Sequence, residues 1–528
     1  MRRPFAPGVR TVSKPSRRPG REAIQAQKKA RKKAQRELRQ RQKEQGLSAP
    51  EKPSQSNRTC PYQTQEEERA ARVDAVSQQV KVYRAMLPVL LKRLSKIPDP
   101  RNPRKLRHKL TVLLIYGFLC FAFQMSSRRQ ANQEMTRPVL EANLRQLFPD
   151  LEELPHQDTL ARLLARIDVS QIEAAHLDMI GQLIRGKKFG RYLIGHCYPV
   201  AIDGSQKLTR AELWDAECLE RKVRSKKEQD PTAEPEKAYY AYVLEANLAF
   251  ANGMVIPLLS EMLSASQGDS QSHKQDCEQR AFRRLAQRLK QAFSHLSILL
   301  LLDGLYANGP IMERCRKNNW DFMIVLQDDS LPSVWEEIEG LKKFQSANRC
   351  SQQWGNRRQQ FWWVNEIEYR YADPLTQRHK QLKVHAVICE ESWEEIAPGS
   401  AAVVKKTSRH AWLSDQPLHR NNVHSRCNLG ARHRWGIETG FLVEKHHGYQ
   451  YEHCFSYDWQ AMRGYHYLMR LGHALNILAH YSYALANYVR DLGARGLIEF
   501  VRSTIAGLWL KAEDFLQIAS AACQIRLE

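Results

Sequence analysis

"SILLLLDGLYANG", Ser297 to Gly309, runs five aliphatic residues together before Asp303-Gly304. An apolar run without polar alternation reads as a strand covered on both faces, as inside a parallel sheet flanked by helices. Upstream, "CYPVAIDGSQ" (Cys197–Gln206) repeats the form: a short apolar strand ending at Asp203-Gly204. A charged loop follows from about Leu208 to Lys237, and "YYAYVLEANLAFANGMVIPLLSEML" (Tyr239–Leu263) then reads as a hairpin turning at Ala251-Asn252-Gly253. "QDCEQRAFRRLAQRLKQAFSHL" (Gln275–Leu296) is an amphipathic helix, "PIMERCRKNN" (Pro310–Asn319) is helical, and "WDFMIVLQ" (Trp320–Gln327) is a further strand. The order strand, hairpin, helix, strand, helix, strand predicts one mixed α/β sheet with acids at two strand ends.

Outward from this sheet the texture changes on both sides. From about Thr64 to Leu193 the pattern is helical: "VKVYRAMLPVLLKRLSKI" (Val80–Ile97) stops at the breaker "PDPRNP". In "HQDTLARLLARIDVSQIEAAHLDMIGQLI" (His156–Ile184), Asp158 is placed to cap one helix and Asp168-Val169-Ser170 to turn into the next. Such a pair is either a helix-turn-helix DNA reader or two packed helices. Ahead of it, residues 1–61 are rich in Pro, Ser, Gln and basic residues, with no apolar stripe, and are expected to be a disordered basic tail. After the sheet, "QQFWWVNEIEYRY" (Gln359–Tyr371), "LKVHAVICEES" (Leu382–Ser392) and "SAAVVKKTS" (Ser400–Ser408) alternate as strands do, and helical character returns near Asn421. The division that follows is a tail (1–61), a helical DNA-binding region (62–193), a first core part (194–328), a β-rich insertion (329–420), and a second core part with C-terminal helices (421–528).

The chain has 528 residues, enough for more than one domain, and a formal net charge of +24. Met1 to Gly46 hold sixteen Lys and Arg against three Glu, so the remaining chain carries +11. A basic body as well as a basic tail points to a polyanionic partner, of which nucleic acid is the commonest. Eleven cysteines, with no Cys-x-x-Cys pair, fit reduced thiols in a cytosolic protein. No apolar stretch behind the basic N-terminus reads as a secretory signal. "LTVLLIYGFLCFAFQM" (Leu110–Met125) is shorter than the roughly 20 residues that span a bilayer, and reads as a buried core helix.

Carboxylates at the ends of neighbouring strands repel unless a divalent cation lies between them. Three such groups can hold two Mg²⁺ that activate a water or a 3′-hydroxyl and stabilise the leaving oxygen of a phosphodiester. Asp203 and Asp303 supply two. The third is sought in "ARHRWGIETGFLVEKHHGYQYEH" (Ala431–His453), where Arg434, Glu438 and Lys445 lie four and seven residues apart and share a helix face. Glu438 would bind metal while the flanking cations hold DNA; the alternative is an ordinary Arg–Glu pair. Glu444 and Glu452 are rival third acids without the flanking Arg. Cys427, His433, His446, His447, His453 and Cys454 match no common zinc spacing.

"RWGIETGFLVEK" (Arg434–Lys445) resembles the signature of DDE transposases of bacterial insertion sequences, in the group marked by Tyr-x2-Arg-x3-Glu-x6-Lys. "AIDGS" is similar to that family's first Asp strand, "LLLLDGLYAN" to its second, and "LSKIPDPRNPRKLRHKLTVLLIYGFLCFAF" to the N-terminal segment of related transposases. The resemblance covers roughly Ile97 to Tyr481, and departs at Ala431, which stands where the group has Tyr. It implies an RNase H-like core with Asp203, Asp303 and Glu438 as catalytic metal ligands for two Mg²⁺ (or Mn²⁺). It also implies cleavage at transposon ends, strand transfer into target DNA, and backbone contacts from Arg434 and Lys445. A homodimer or larger synaptic complex on DNA and a cytoplasmic, nucleoid-associated location go with it. The family's base-stacking insertion Trp falls on Trp412, in "RHAWLSDQP", with Trp362 and Trp363 as rivals. Two other functions stay open: an inactive transposase-derived DNA-binding protein, and a structure-specific nuclease on the same sheet.

Overall fold

The computed structural model describes residues 20–47, 59–223, 236–268, 275–373 and 376–528. The start of the expected tail, its stretch 48–58 and the centre of the expected charged loop lie outside the described residues. Two compact units are distinguished: residues 53–348, 363–387 and 411–528 form the larger, and 1–52, 349–362 and 388–410 the smaller.

In the larger unit the first strands are β1 (Tyr198–Arg210), β2 (Leu219–Val223), β3 (Glu236–Ala249), β4 (Val255–Leu263), β5 (Ile298–Leu302) and β6 (Asp321–Val325). They lie in the order β2-β3-β1-β5-β6, and β4 pairs with β3. Strands β1, β5 and β6 are parallel, and β3 is antiparallel to both β1 and β4. Every residue of β5 is buried, as a strand covered on both faces requires. Tyr198 pairs with Ile298 and Ala201 with Leu301, so the same register carried onward sets Asp203 level with Asp303. The fold is mixed α/β, a mixed sheet with flanking helices.

The apolar run forms the helix Leu110–Ala122, all of it buried except Thr111, packed against the helix Trp459–His480. Their backbones approach closely: a Cβ on Gly472 would lie 3.0 Å from the Phe118 carbonyl oxygen. No helix among the described residues is long and apolar enough to cross a membrane. Helices Gln157–Leu164 and Ser170–Arg185 occur where two were expected, but the first cap differs: the His156 ring, not Asp158, accepts from the Asp158 amide at 3.2 Å. Asp158 instead pairs with Arg128. Asp168 does hold the following turn, accepting from the Ser170 amide at 3.1 Å.

The later strands are β7 (Arg349–Trp354), β8 (Arg357–Ala372), β9 (His379–Ile396) and β10 (Val403–Ser414), preceded by a helix, Pro332–Lys342, inside the interval read as β. In the smaller unit β7 and the start of β8 pair antiparallel, and a helix, Arg21–Glu44, stands where a disordered tail was expected. That helix has strong helix formers throughout and a short anchored end. Leu38 and Gln42 are buried, Arg41 pairs with Glu394 at 2.7 Å, and the Gln42 amide donates to the Glu394 carbonyl at 3.3 Å. A few such contacts replace the apolar stripe whose absence suggested disorder.

Candidate active site

Asp203 does not end its strand; β1 continues seven residues to Arg210. Nor is Gly204 a turn. A Cβ there would lie 2.5 Å from the Tyr242 ring and 2.7 Å from Glu278 Oε1, so close approach of neighbouring side chains requires glycine. Asp303 does end β5, in extended geometry, and its Oδ1 accepts from the Leu305 amide at 3.0 Å, capping the short turn Gly304–Tyr306. Gly304 is again a close approach, since a Cβ would lie 2.6 Å from the Gln327 side chain.

Glu438 lies in the first turn of the helix Gly436–His446, reached through two irregular turns, Ser425–Gly430 and Ala431–Trp435. Arg434 joins it to β1: one guanidinium nitrogen is 2.9 Å from Glu438 Oε1, another 3.6 Å from Asp203 Oδ2. The Arg434 side chain is 7 % exposed, Asp203 19 % and Glu438 38 %. Burial pushes the Asp203 carboxyl up to about 6, and the charges of Asp303 and Glu438 push the same way. The Gly204 amide, 2.8 Å from Oδ1, and Arg434 oppose that rise without cancelling it. Asp203 therefore lies within electrostatic reach of both other expected acids. No three His, Cys, Asp or Glu side chains among the described residues close to ligand distance of a single point; Arg434 spans Asp203 and Glu438. The donor set nonetheless fits a hard divalent cation: oxygen ligands only, of like charge, one of them driven toward protonation chiefly by burial.

The remaining expected residues divide. Lys445 pairs with Glu452 at 3.0 Å and lies 5.8 Å from the Tyr451 ring centre. Glu444 is buried and faces away from the acids. Its Oε1 is 2.7 Å from His473 Nδ1 and 3.2 Å from Arg470. Burial alone would raise its carboxyl, but Arg470 and His473 hold it below the usual range. Trp412, expected to stack on a base, is 4 % exposed in this structure, paired with Val325 in the sheet with Arg432 over its ring at 5.7 Å. Trp363 is buried as well. The exposed indole beside the acids is Trp435, 62 % exposed, with the Arg434 guanidinium 4.9 Å from its ring centre.

Behind the Glu438 helix lies a buried charge network. Arg470, on the helix Trp459–His480, bridges Glu444 and Glu245, with Glu245 at 2.8 Å and Asn247 Oδ1 at 2.5 Å. Glu245 also accepts from Ser260 at 2.8 Å and Tyr451 at 3.2 Å, and meets His466 Nε2 at 3.1 Å. Burial opposes its ionisation, yet Arg470 and His466 bring it down to about 2. Glu245 is the cross-strand partner of Asp203, so this network ties the strand beside Asp203 to the helix bearing Glu438. Its signal in the sequence was a lone formal charge inside an apolar run, Glu245 in "YVLEANLAF" and Arg470 in "YHYLMRLGHALNILAH".

Residues 91–180 match the model of the DDE_Tnp_1-associated family. The match indicates a DDE-type transposase family and a transposase-related function; it spans the helical part ahead of the sheet and none of the acids. No curated protein matches the chain.

Proposed function

We propose that the chain is a DNA transposase with an RNase H-like catalytic core, in which Asp203, Asp303 and Glu438 hold two Mg²⁺ (or Mn²⁺). The observation that carries this reading is that Asp203, raised chiefly by burial, also lies within electrostatic reach of both Asp303 and Glu438, with Arg434 between Asp203 and Glu438 and the strand register carrying Asp203 level with Asp303. The strand order β4-β3-β1-β5-β6, with one antiparallel hairpin and three parallel strands, supports the RNase H-like assignment. Asp203, Asp303 and Glu438 would hold the two divalent ions, which would supply activation of a water or 3′-hydroxyl and charge stabilisation of the departing oxygen.

Arg434 is the group to engage the scissile phosphate's neighbourhood. It is permanently charged, and its guanidinium lies between Asp203 and Glu438, where a phosphodiester bound at the acids would meet it. Lys445 adds a second cation, and the basic surplus of the body holds the duplex without sequence preference. The helical region matched to the transposase-associated family binds the element's ends, which a homodimer or larger assembly brings together in the cytoplasm at the nucleoid.

Incubating the full chain and Mg²⁺ with a plasmid carrying the element's own ends tests this. Ends cut and joined to target DNA, lost in Asp203→Asn, are expected. Cutting without joining points to a nuclease; binding with neither step points to an inactive DNA-binding protein.

A further inference from the structure

We propose that Glu278 is a positioning residue for the acidic site, its two carboxylate oxygens tying the Asp303 turn to the strand beside Asp203's. This rests on the reading of Asp203, Asp303 and Glu438 as metal ligands. Tyr242, on the strand paired with β1, donates its hydroxyl to Glu278 Oε1 at 2.6 Å. Tyr306 closes the turn that Asp303 caps, and donates to Oε2 at 3.1 Å. One carboxylate thus bridges two elements, each carrying or flanking an essential acid. Gly204 shows how closely this bridge is built into the site: a Cβ one residue beyond Asp203 would sit 2.6 Å from the Tyr242 hydroxyl and 2.7 Å from Glu278 Oε1.

The bridge is also stiff. Phe282, one turn along the helix Glu278–Ala292, packs its ring 5.3 Å from that of Tyr306. Burial and the Glu278 charge both keep the two hydroxyls protonated, so they remain donors at any working pH. Glu278 itself opens its helix, where the positive end of the helix dipole favours a carboxylate. With both oxygens committed to tyrosines, Glu278 acts through the placement of Asp303 relative to Asp203.

Mn²⁺ binding to the full chain, measured by calorimetry beside the melting temperature, separates placement from mere support. Tyr306→Phe and Tyr242→Phe each delete one hydroxyl without changing charge. Each is expected to weaken Mn²⁺ binding roughly three- to tenfold, the scale of one net hydrogen bond. Glu278→Gln, which cannot accept from both hydroxyls, weakens it at least as much, while Asp203→Asn abolishes it. Wild-type affinity in both Tyr→Phe variants, with or without a lower melting temperature, overturns the inference and leaves the triad standing. A wild-type chain that takes up no Mn²⁺, or an Asp203→Asn chain that binds as wild type, overturns the triad reading and this inference together.

Discussion

Glu438 and Glu444 stand six residues apart on one helix, and the protein uses them in opposite ways. Glu438 is partly exposed, shares Arg434 with Asp203 and raises its neighbour's affinity for protons. Glu444 is fully buried, shares Arg470 with Glu245 and is held ionised. Each carboxylate has an arginine; what separates them is what else the arginine touches and whether water reaches the place. Around Glu444 the charges nearly balance, because buried Lys207 joins Arg470 in offsetting Glu245 and Glu444. Around Glu438 the acids outnumber the single guanidinium, and the imbalance is what a divalent cation or a phosphate-bearing ligand can use.

Breaking the balanced side costs most. Arg470→Ala leaves two buried carboxylates facing each other, and should destabilise the fold by about 3–5 kcal/mol, read as a lower midpoint in chemical denaturation. Equal stability to wild type would show that the network is slack. On the unbalanced side the sign reverses. Asp203 titrates at about 6 in the fold, against an ordinary carboxylate near 3.9. The folded chain therefore binds this proton more tightly than the unfolded one, and loses stability as pH rises from about 4 to about 6. The full cost above pH 6 is about 2–3 kcal/mol. Asp203→Asn removes that charge, so the metal-free variant should be more stable than wild type at pH 8, and the gain should vanish toward pH 4. A variant destabilised at every pH would contradict the assignment.

Smaller effects sharpen the same contrast. Arg434→Gln takes away the guanidinium that spans Asp203 and Glu438, and should weaken DNA binding by up to tenfold while reducing the salt dependence by about one counterion's worth. The pair of Lys445, in the last turn of the same helix, with Glu452, beyond its end, lies near the surface, and Glu452→Gln should shift stability by under about 1 kcal/mol. Either substitution matching the effect of Arg470→Ala would erase the distinction between the two sides of the helix.

The parts that could be read ahead of the structure are those where a local rule has one physical meaning. An unbroken aliphatic run before Asp303 is a doubly covered strand, and the chain buries it as one. The Asn252-Gly253 turn lies between β3 and β4, with Gly253 at positive φ. The shape at Asp203-Gly204 was not legible: the glycine suggested a turn, whereas the strand runs on and the missing side chain makes room for Tyr242 and Glu278. Trp412 was out of reach because an indole between charged residues looks like a surface ring, and only pairing with β6 reveals it as core. The basic helix Arg21–Glu44 escaped for the complementary reason. Its anchoring contacts come from Glu394 and Gln353, more than three hundred residues away, which no local pattern records. Glu278 belongs with these, since its two tyrosines meet it through tertiary contacts.

In the proposed function Glu438, and not Glu444, completes the acidic site. This assignment is tested most directly by comparing Glu438→Gln and Glu444→Gln in Mg²⁺-dependent cleavage at the element's ends, with DNA binding and folding measured on the same samples. Glu438→Gln is expected to fold and bind DNA as wild type but not to cut. Glu444→Gln should melt lower yet cut wherever it is folded. Cleavage by Glu438→Gln at the wild-type rate would contradict the assignment.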